Sequence, residues 1–247
     1  MKFLKDKKLI FGEYVVEPDI RMLNDMKDVI YDKEWLKKSR NMELYYMYRD
    51  LALSDEDREI MRREKLRYDI TLIPSMNLGM EFIKTYGHYH PEIDGLGISY
   101  AEVYEVIEGE AHYLLQKLEN GRIVDVVLIK AKKLDKVIIP PNYGHITINP
   151  GKNTLIMANF VSSEFSSIYE PIKEKGGGAY FELTDGRLIR NENYGRIPDI
   201  RIMDAHEISN LNILEEIANN NLYDAINSPD ILRFLNMPFR YRDRLEI

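Results

Sequence analysis

Residues 85–109 read TYGHYH, then PEIDGLGISY, then AEVYEVIEG, and residues 140–149 read PPNYGHITIN. The first stretch carries His88, His90 and Glu102, and the second carries His145. On a strand, alternate side chains share a face, so His88 and His90 can aim into one interior, as can Glu102 and Tyr104. Pro140-Pro141 forces a turn before His145 enters a further strand. Four ligands from three segments can then converge on one ion. Mixed nitrogen and oxygen donors suit Fe2+, Mn2+, Co2+, Ni2+ or Zn2+ better than Mg2+ or Ca2+. A lone His-x-His is common; the combination with Glu102, Gly109, Pro140, His145 and Asn149 is not. His112 and His206 lack such company and read as ordinary residues.

Outward from this stretch, residues 68–161 hold short β-branched or aromatic runs: YDITLIP, MEFIKTY, AEVYEVIEG, AHYLLQKL, IVDVVLIKA, KVIIP, HITINP and TLIMANFV. Each is bounded by Gly, Pro, Asn or Asp, which argues an antiparallel barrel or sandwich. Asn120-Gly121 is a hairpin turn, because both residues tolerate positive φ. Upstream, the pattern predicts a helix around Arg21–Lys37 and a strand at Met42–Tyr48. Ser54, with Asp57 three residues on, resembles an N-cap, and the charged run over residues 54–67 reads as a solvated helix or an excursion between strands. From about Arg196 the texture turns helical. Asp204 opens a segment with Ile208, Leu211, Leu214 and Ile217 at near-helical spacing, and Ser228-Pro229-Asp230 reads as a helix start. The expected division is 1–195 for the β-domain with its N-terminal flank and 196–247 for a helical extension packed on it.

The chain has 247 residues, 45% of them apolar, enough for a packed core. A net charge of -7 argues against nucleic acid or an anionic membrane as partner. Cysteine is absent, which excludes disulfides and thiolate zinc sites and fits a reducing cytoplasm. The lysine-broken N-terminus does not read as a signal peptide, and no apolar run approaches membrane-spanning length. The expectation is a cytoplasmic protein.

The His88-x-His90, Glu102, Gly109 and Pro140, His145, Asn149 motifs resemble those of the cupin superfamily. The eleven-residue spacer before Glu102 is longer than usual there, and Asn142 stands where Gly is customary. Asn is the next-best residue for a left-handed position. A narrower set is similar to the archaeal-type, cupin glucose-6-phosphate isomerase family: Thr85-x-Gly87-His88-x-His90, Ala101-Glu102-Val103-Tyr104, Leu114-Leu115-Gln116 and Pro140-Pro141 before His145. It extends upstream to Tyr45 and Thr71 and downstream to Tyr169 and Glu174-Lys175-Gly176, covering roughly residues 20–190. The family often carries His where this chain has Ser167 and Tyr where Phe160 aligns; both positions line the sugar site there.

The resemblance implies a mainly β, jelly-roll-like barrel with flanking N-terminal elements and a C-terminal helical appendage. It implies a homodimer holding one divalent metal per subunit, Fe2+ favoured, on His88, His90, Glu102 and His145. It implies interconversion of glucose 6-phosphate and fructose 6-phosphate, in glycolysis and gluconeogenesis. Thr71, Thr85 and Gly87 would hold the phosphate, with Tyr45 and Tyr169 closing the site. Glu102 is the candidate base and Tyr104 a hydroxyl donor; Glu102 as tight ligand and Glu102 as free base compete, and a hydride shift stands beside proton transfer. Gly176-Gly177-Gly178 lacks the Lys-Ser/Thr of a phosphate loop and reads as a turn. Three rivals remain: another metal-dependent cupin enzyme such as a dioxygenase, a non-catalytic sugar-phosphate binder, and a metal-free barrel.

Overall fold

The computed structural model describes residues 1–208, 212–213 and 220–247. Ten strands build two main sheets. The six-stranded sheet runs in the order Lys136–Ile139, Glu102–Glu108, Leu155–Ser162, Leu66–Ile73, Glu43–Tyr48, Asp19–Met22. The four-stranded sheet runs Tyr143–Ile148, Glu110–Glu119, Arg122–Lys132, Arg201–Asp204. Neighbours are antiparallel except Arg201–Asp204, which lies parallel to Arg122–Lys132. The architecture is mainly β, as the strand texture predicts. No helix is long and apolar enough to cross a membrane among the described residues.

The sheets are buried on both faces, which explains why their strands read as nearly continuous apolar runs. Between them lies a core that includes Tyr104, Val106, Tyr113, Leu115, Val127, Ile129 and Met157. The outer face of the larger sheet packs Tyr68, Ile70, Val103, Ala158 and Phe160 against Phe11 of the N-terminal hairpin and Leu222, Tyr223, Leu232 and Phe234 of the C-terminal segment. The outer face of the smaller sheet packs Leu114, Leu128 and Ile146 against Tyr180 and Ile197. Period-two alternation decides which side chain enters which layer: Met157, Asn159 and Val161 line the interior cavity, while Ala158 and Phe160 turn outward.

Local signals explain the connections. Asn120 and Gly121 have φ of 49° and 74° between the paired Glu119 and Arg122, the conformation a two-residue hairpin loop demands. Asn142 is left-handed, with φ 68°, and its side chain accepts from the Ser99 N–H at 2.9 Å. Ser54 caps the helix Asp55–Arg63 by accepting from the Asp57 N–H at 3.2 Å.

Several expectations are corrected. The single helix around Arg21–Lys37 is two short ones, Leu23–Met26 and Lys33–Lys38. Asp19–Met22 is instead an edge strand paired with Tyr45–Met47, and Asp32 caps the second helix by accepting from the Trp35 N–H. The run MEFIKTY holds only the two-residue strand Glu81–Phe82; beyond it, Lys84 and His88 make isolated bridges to Ile148 and His145. Among its described residues, the C-terminal segment is a set of 3-10 turns, including Leu222–Asn227 and Pro229–Leu235, rather than α-helices. Leu211, Leu214 and Ile217 lie outside the described residues.

Candidate metal centre

The inner face of the larger sheet is the floor of a cavity. Across it run Glu102 and Tyr104, then Asn159, then Asp69 and Thr71, then Tyr45 and Arg49, then Arg21 on the edge strand. The opposite wall carries Thr85, Gly87, His88, His90 and His145. The residues named as ligands, base or substrate contacts therefore line one cavity: His88, His90, Glu102 and His145, with Tyr45, Thr71, Thr85, Gly87, Tyr104 and Tyr169.

The His88–His90 segment is extended and held on both sides. His88 exchanges backbone hydrogen bonds with His145 (3.2 and 3.0 Å), and Tyr89 exchanges them with Ile168 (2.9 and 2.8 Å). Gly87 has φ 84°, and a Cβ there would lie 2.4 Å from Ile146 Cγ1, so only glycine fits. The long spacer loops out and returns to place the Tyr100 carbonyl 3.0 Å from His90 Nδ1. A carbonyl can only accept, so Nδ1 carries the proton and Nε2 keeps its lone pair.

One donor atom from each of His88, His90, Glu102 and His145 can be chosen so that all lie within 4.8 Å of one another. Glu102 Oε2 is 3.2 Å from both His90 Nε2 and His145 Nε2. Yet His90 Nε2 and Glu102 Oε2 are buried without a hydrogen-bond partner, as is His145 Nδ1. These contacts have the distance of ion pairs but not the geometry of hydrogen bonds. Buried polar atoms are normally satisfied, and lone pairs converging at this spacing suit a shared cation. The donor set fits a divalent transition metal.

Electrostatics favour the ligand-competent protonation states. Burial, with the neighbouring His145 and His90, pushes His88 well below the usual histidine range. Burial also lowers His145, against the pull of Glu102. Burial alone would raise Glu102, but the close approach of the His145 and His90 rings carries it well below the usual carboxylate range. Two neutral imidazoles beside a carboxylate are what a metal requires. Burial and the Glu102 charge hold the Tyr104 phenol well above its ordinary value, so it stays protonated, with its hydroxyl 3.2 Å from His145 Nε2.

Sequence reasoning missed four residues. Asn159 donates from Nδ2 to Glu102 Oε1 at 2.7 Å, which turns Oε2 toward the histidines. Its signal was present: it is an amide in the middle of an apolar strand, where a buried polar group needs a reason. Phe165 packs tilted against the His90 ring, with centroids 4.6 Å apart. Asp69 and Arg21 also face the cavity. Of the two positions expected at the sugar site, Ser167 lines the cavity, whereas Phe160 packs outward, 4.8 Å from Tyr68. His112 pairs with Glu182 at 2.8 Å. Asp204, His206 and Glu207 also cluster, but on an exposed turn.

Residues 20–199 match the family model described as glucose-6-phosphate isomerase. The glucose-6-phosphate isomerase of Thermococcus litoralis is 29% identical over 189 residues, covering 75% of this chain and 93% of that protein. That of Pyrococcus abyssi is 30% identical over 160 residues, covering 64% and 76%. Among solved structures, oxalate decarboxylase from Bacillus subtilis is 14% identical with a TM-score of 0.36, covering 51% of this chain and 27% of that one.

Proposed function

The chain belongs to the glucose-6-phosphate isomerase family, and from that membership we propose a metal-dependent aldose–ketose isomerase that interconverts glucose 6-phosphate and fructose 6-phosphate. The observation that carries the metal dependence is the pair of buried, unpartnered donor atoms His90 Nε2 and Glu102 Oε2, with donor atoms of His88 and His145 in the same 4.8 Å cluster. A divalent transition metal held by His88, His90, Glu102 and His145 would disperse the negative charge that develops on two neighbouring sugar oxygens. Fe2+ is the first ion to test, ahead of Mn2+, Ni2+, Co2+ and Zn2+. The same reading makes the protein a cytoplasmic homodimer serving glycolysis and gluconeogenesis, with residues 1–195 as the catalytic unit and 196–247 packed against it.

The residues divide the work. Asn159 occupies one oxygen of Glu102. The other, Oε2, is the atom left to ligate the ion, and it can move a proton between C1 and C2 only while that bond is released. Tyr104, kept protonated, donates to a sugar oxygen. Thr85 Oγ1 already accepts from the Thr147 N–H at 2.9 Å, so its own proton is available to a phosphate oxygen. Tyr45 accepts from the Tyr86 N–H at 3.2 Å and is left with a hydroxyl proton in the same way. Thr71 and the Gly87 N–H complete the donors, and Tyr169 borders the site beside His88.

The test is a coupled assay on fructose 6-phosphate after chelation and add-back of single divalent ions. Loss on chelation and recovery of glucose 6-phosphate formation with Fe2+ or another ion is expected. No turnover with any ion bound would overturn the reading.

A further inference from the structure

Three arginines line the cavity, and two are already balanced by acids. Arg67 Nε donates to both oxygens of Asp69 at 3.0 and 2.9 Å. Arg49 lies 3.6 Å from the same carboxylate and 3.0 Å from Asp19. Arg21 differs: among the described residues, no carboxylate lies at ion-pair distance from it. Its Cζ sits 5.9 Å from the ring centroids of Tyr45, Tyr86 and Tyr169, and its buried Nε has no hydrogen-bond partner. Ring faces hold a cation without neutralising it. The cage therefore presents to the cavity a positive charge that no ion pair neutralises, although Asp25 acts on it from a distance.

The position of that charge is informative. Arg21 is opposite Tyr45 in strand register, and the Tyr45 hydroxyl accepts from the backbone of Tyr86, which lies between Thr85 and Gly87. At the other end, the Tyr169 ring that lies 5.9 Å from Arg21 is also 5.6 Å from the His88 ring. One aromatic side chain thus separates the cation from the donor cluster. A six-carbon sugar with its carbonyl end at the cluster would place a C6 phosphate on the Arg21 side.

We propose that Arg21 is the specificity residue for the phosphate of the substrate, the cation that receives its two negative charges beside the Thr71, Thr85 and Gly87 donors; this rests on the isomerase reading above. A guanidinium suits the task because it is always charged, weakly hydrated and forked to match phosphate oxygens. The aromatic cage fixes it before substrate arrives, so little side-chain entropy remains to be lost on binding.

The test compares the metal-loaded parent with Arg21→Met and Arg21→Gln. The first probe is ethyl phosphate, a monoester with no hydroxyls for the donor cluster, measured by calorimetry. Both variants should bind it about 10- to 100-fold more weakly, the range of a lost charge-assisted hydrogen bond. KM for fructose 6-phosphate should rise by a similar factor with kcat little changed, and kcat/KM for unphosphorylated fructose should be unaffected. Metal content and melting temperature identify a misfolded variant; the other substitution then decides. Parent-like ethyl phosphate affinity in a folded, metal-loaded variant overturns the proposal. A parent that isomerises nothing yet binds ethyl phosphate through Arg21 removes the isomerase reading and leaves the anion site standing. A parent that isomerises, with parent-like ethyl phosphate affinity in both variants, does the reverse.

Discussion

Glu102 and Glu81 are two carboxylates taken out of water, 3% and 1% exposed, and they are partnered in opposite ways. Glu81 is complete. One oxygen accepts from the Tyr31 N–H at 2.6 Å, and the other from the Lys84 ammonium at 2.5 Å. Glu102 is half complete. Asn159 satisfies one oxygen, while the other faces imidazole nitrogens that make no hydrogen bond to it. Folding can tolerate a buried charge only if something offsets its desolvation. For Glu81 the protein supplies the offset itself. For Glu102 it supplies a gap shaped for a cation. Burial alone therefore does not distinguish the two acids; incomplete satisfaction does.

The largest expected effect comes from Glu102→Gln. Activity should fall on the order of a thousandfold or more with loss of bound metal, because an amide is a poor ligand and no base. The metal-free protein should stay folded, since the glutamine oxygen can still accept from Asn159, with a lower melting temperature because the contacts that hold the Glu102 carboxyl low are lost. Glu81→Ala should act on stability alone. It strands the Lys84 ammonium, 4% exposed, at a cost of about 3–5 kcal/mol, read as a lower denaturant midpoint. Metal content and kcat of the folded fraction should stay near those of the parent. If Glu102→Gln unfolds the protein while Glu81→Ala silences it, the contrast is broken.

The same contrast explains what the sequence revealed. The strands were legible because β-branched runs and turn residues such as Asn120-Gly121 act locally. The four ligand positions were legible because two-residue spacing and the Pro140-Pro141 turn constrain where His88, His90 and His145 can point. Asn159 and Arg21 were not, since their roles depend on cross-strand register, which pairs Asn159 with Tyr104 and Arg21 with Tyr45. Phe160 was misplaced by a single residue, and on a strand one residue exchanges the cavity for the opposite face. The C-terminal turns misled because apolar spacing signals a buried face without fixing the helix type. There Leu222, Leu232 and Phe234 bury themselves through 3-10 turns.

Asn159→Ala sharpens the contrast at intermediate size. It leaves Glu102 in place but frees its carboxylate to rotate. Metal affinity should fall about 10- to 100-fold, as when an outer-shell partner of a ligand is lost. Chelator competition reads that directly. Unchanged affinity would mean that packing, rather than the amide, orients Glu102.

The smallest effect concerns a third carboxylate, Asp125, which extends the comparison to a partly solvated site. Its side chain is 23% exposed, and it accepts from Arg201 at 2.8 Å and Tyr143 at 2.7 Å, tying the parallel edge strand Arg201–Asp204 to its neighbour. Burial would raise its pKa, but Arg201 and Tyr143 lower it, to a net position below the ordinary 3.8. A carboxylate depressed in the folded state stabilises fully above its unfolded pKa and loses that contribution as pH falls through its folded pKa. Arg201, 43% exposed, is well screened by solvent, so Arg201→Met should cost about 1 kcal/mol or less near neutrality. The difference in melting temperature between parent and variant should shrink as the buffer is taken from about pH 6 to about pH 3, because the parent then protonates Asp125 as well. A gap that stays constant over that range would show that Arg201 acts by covering the sheet edge and not through its charge.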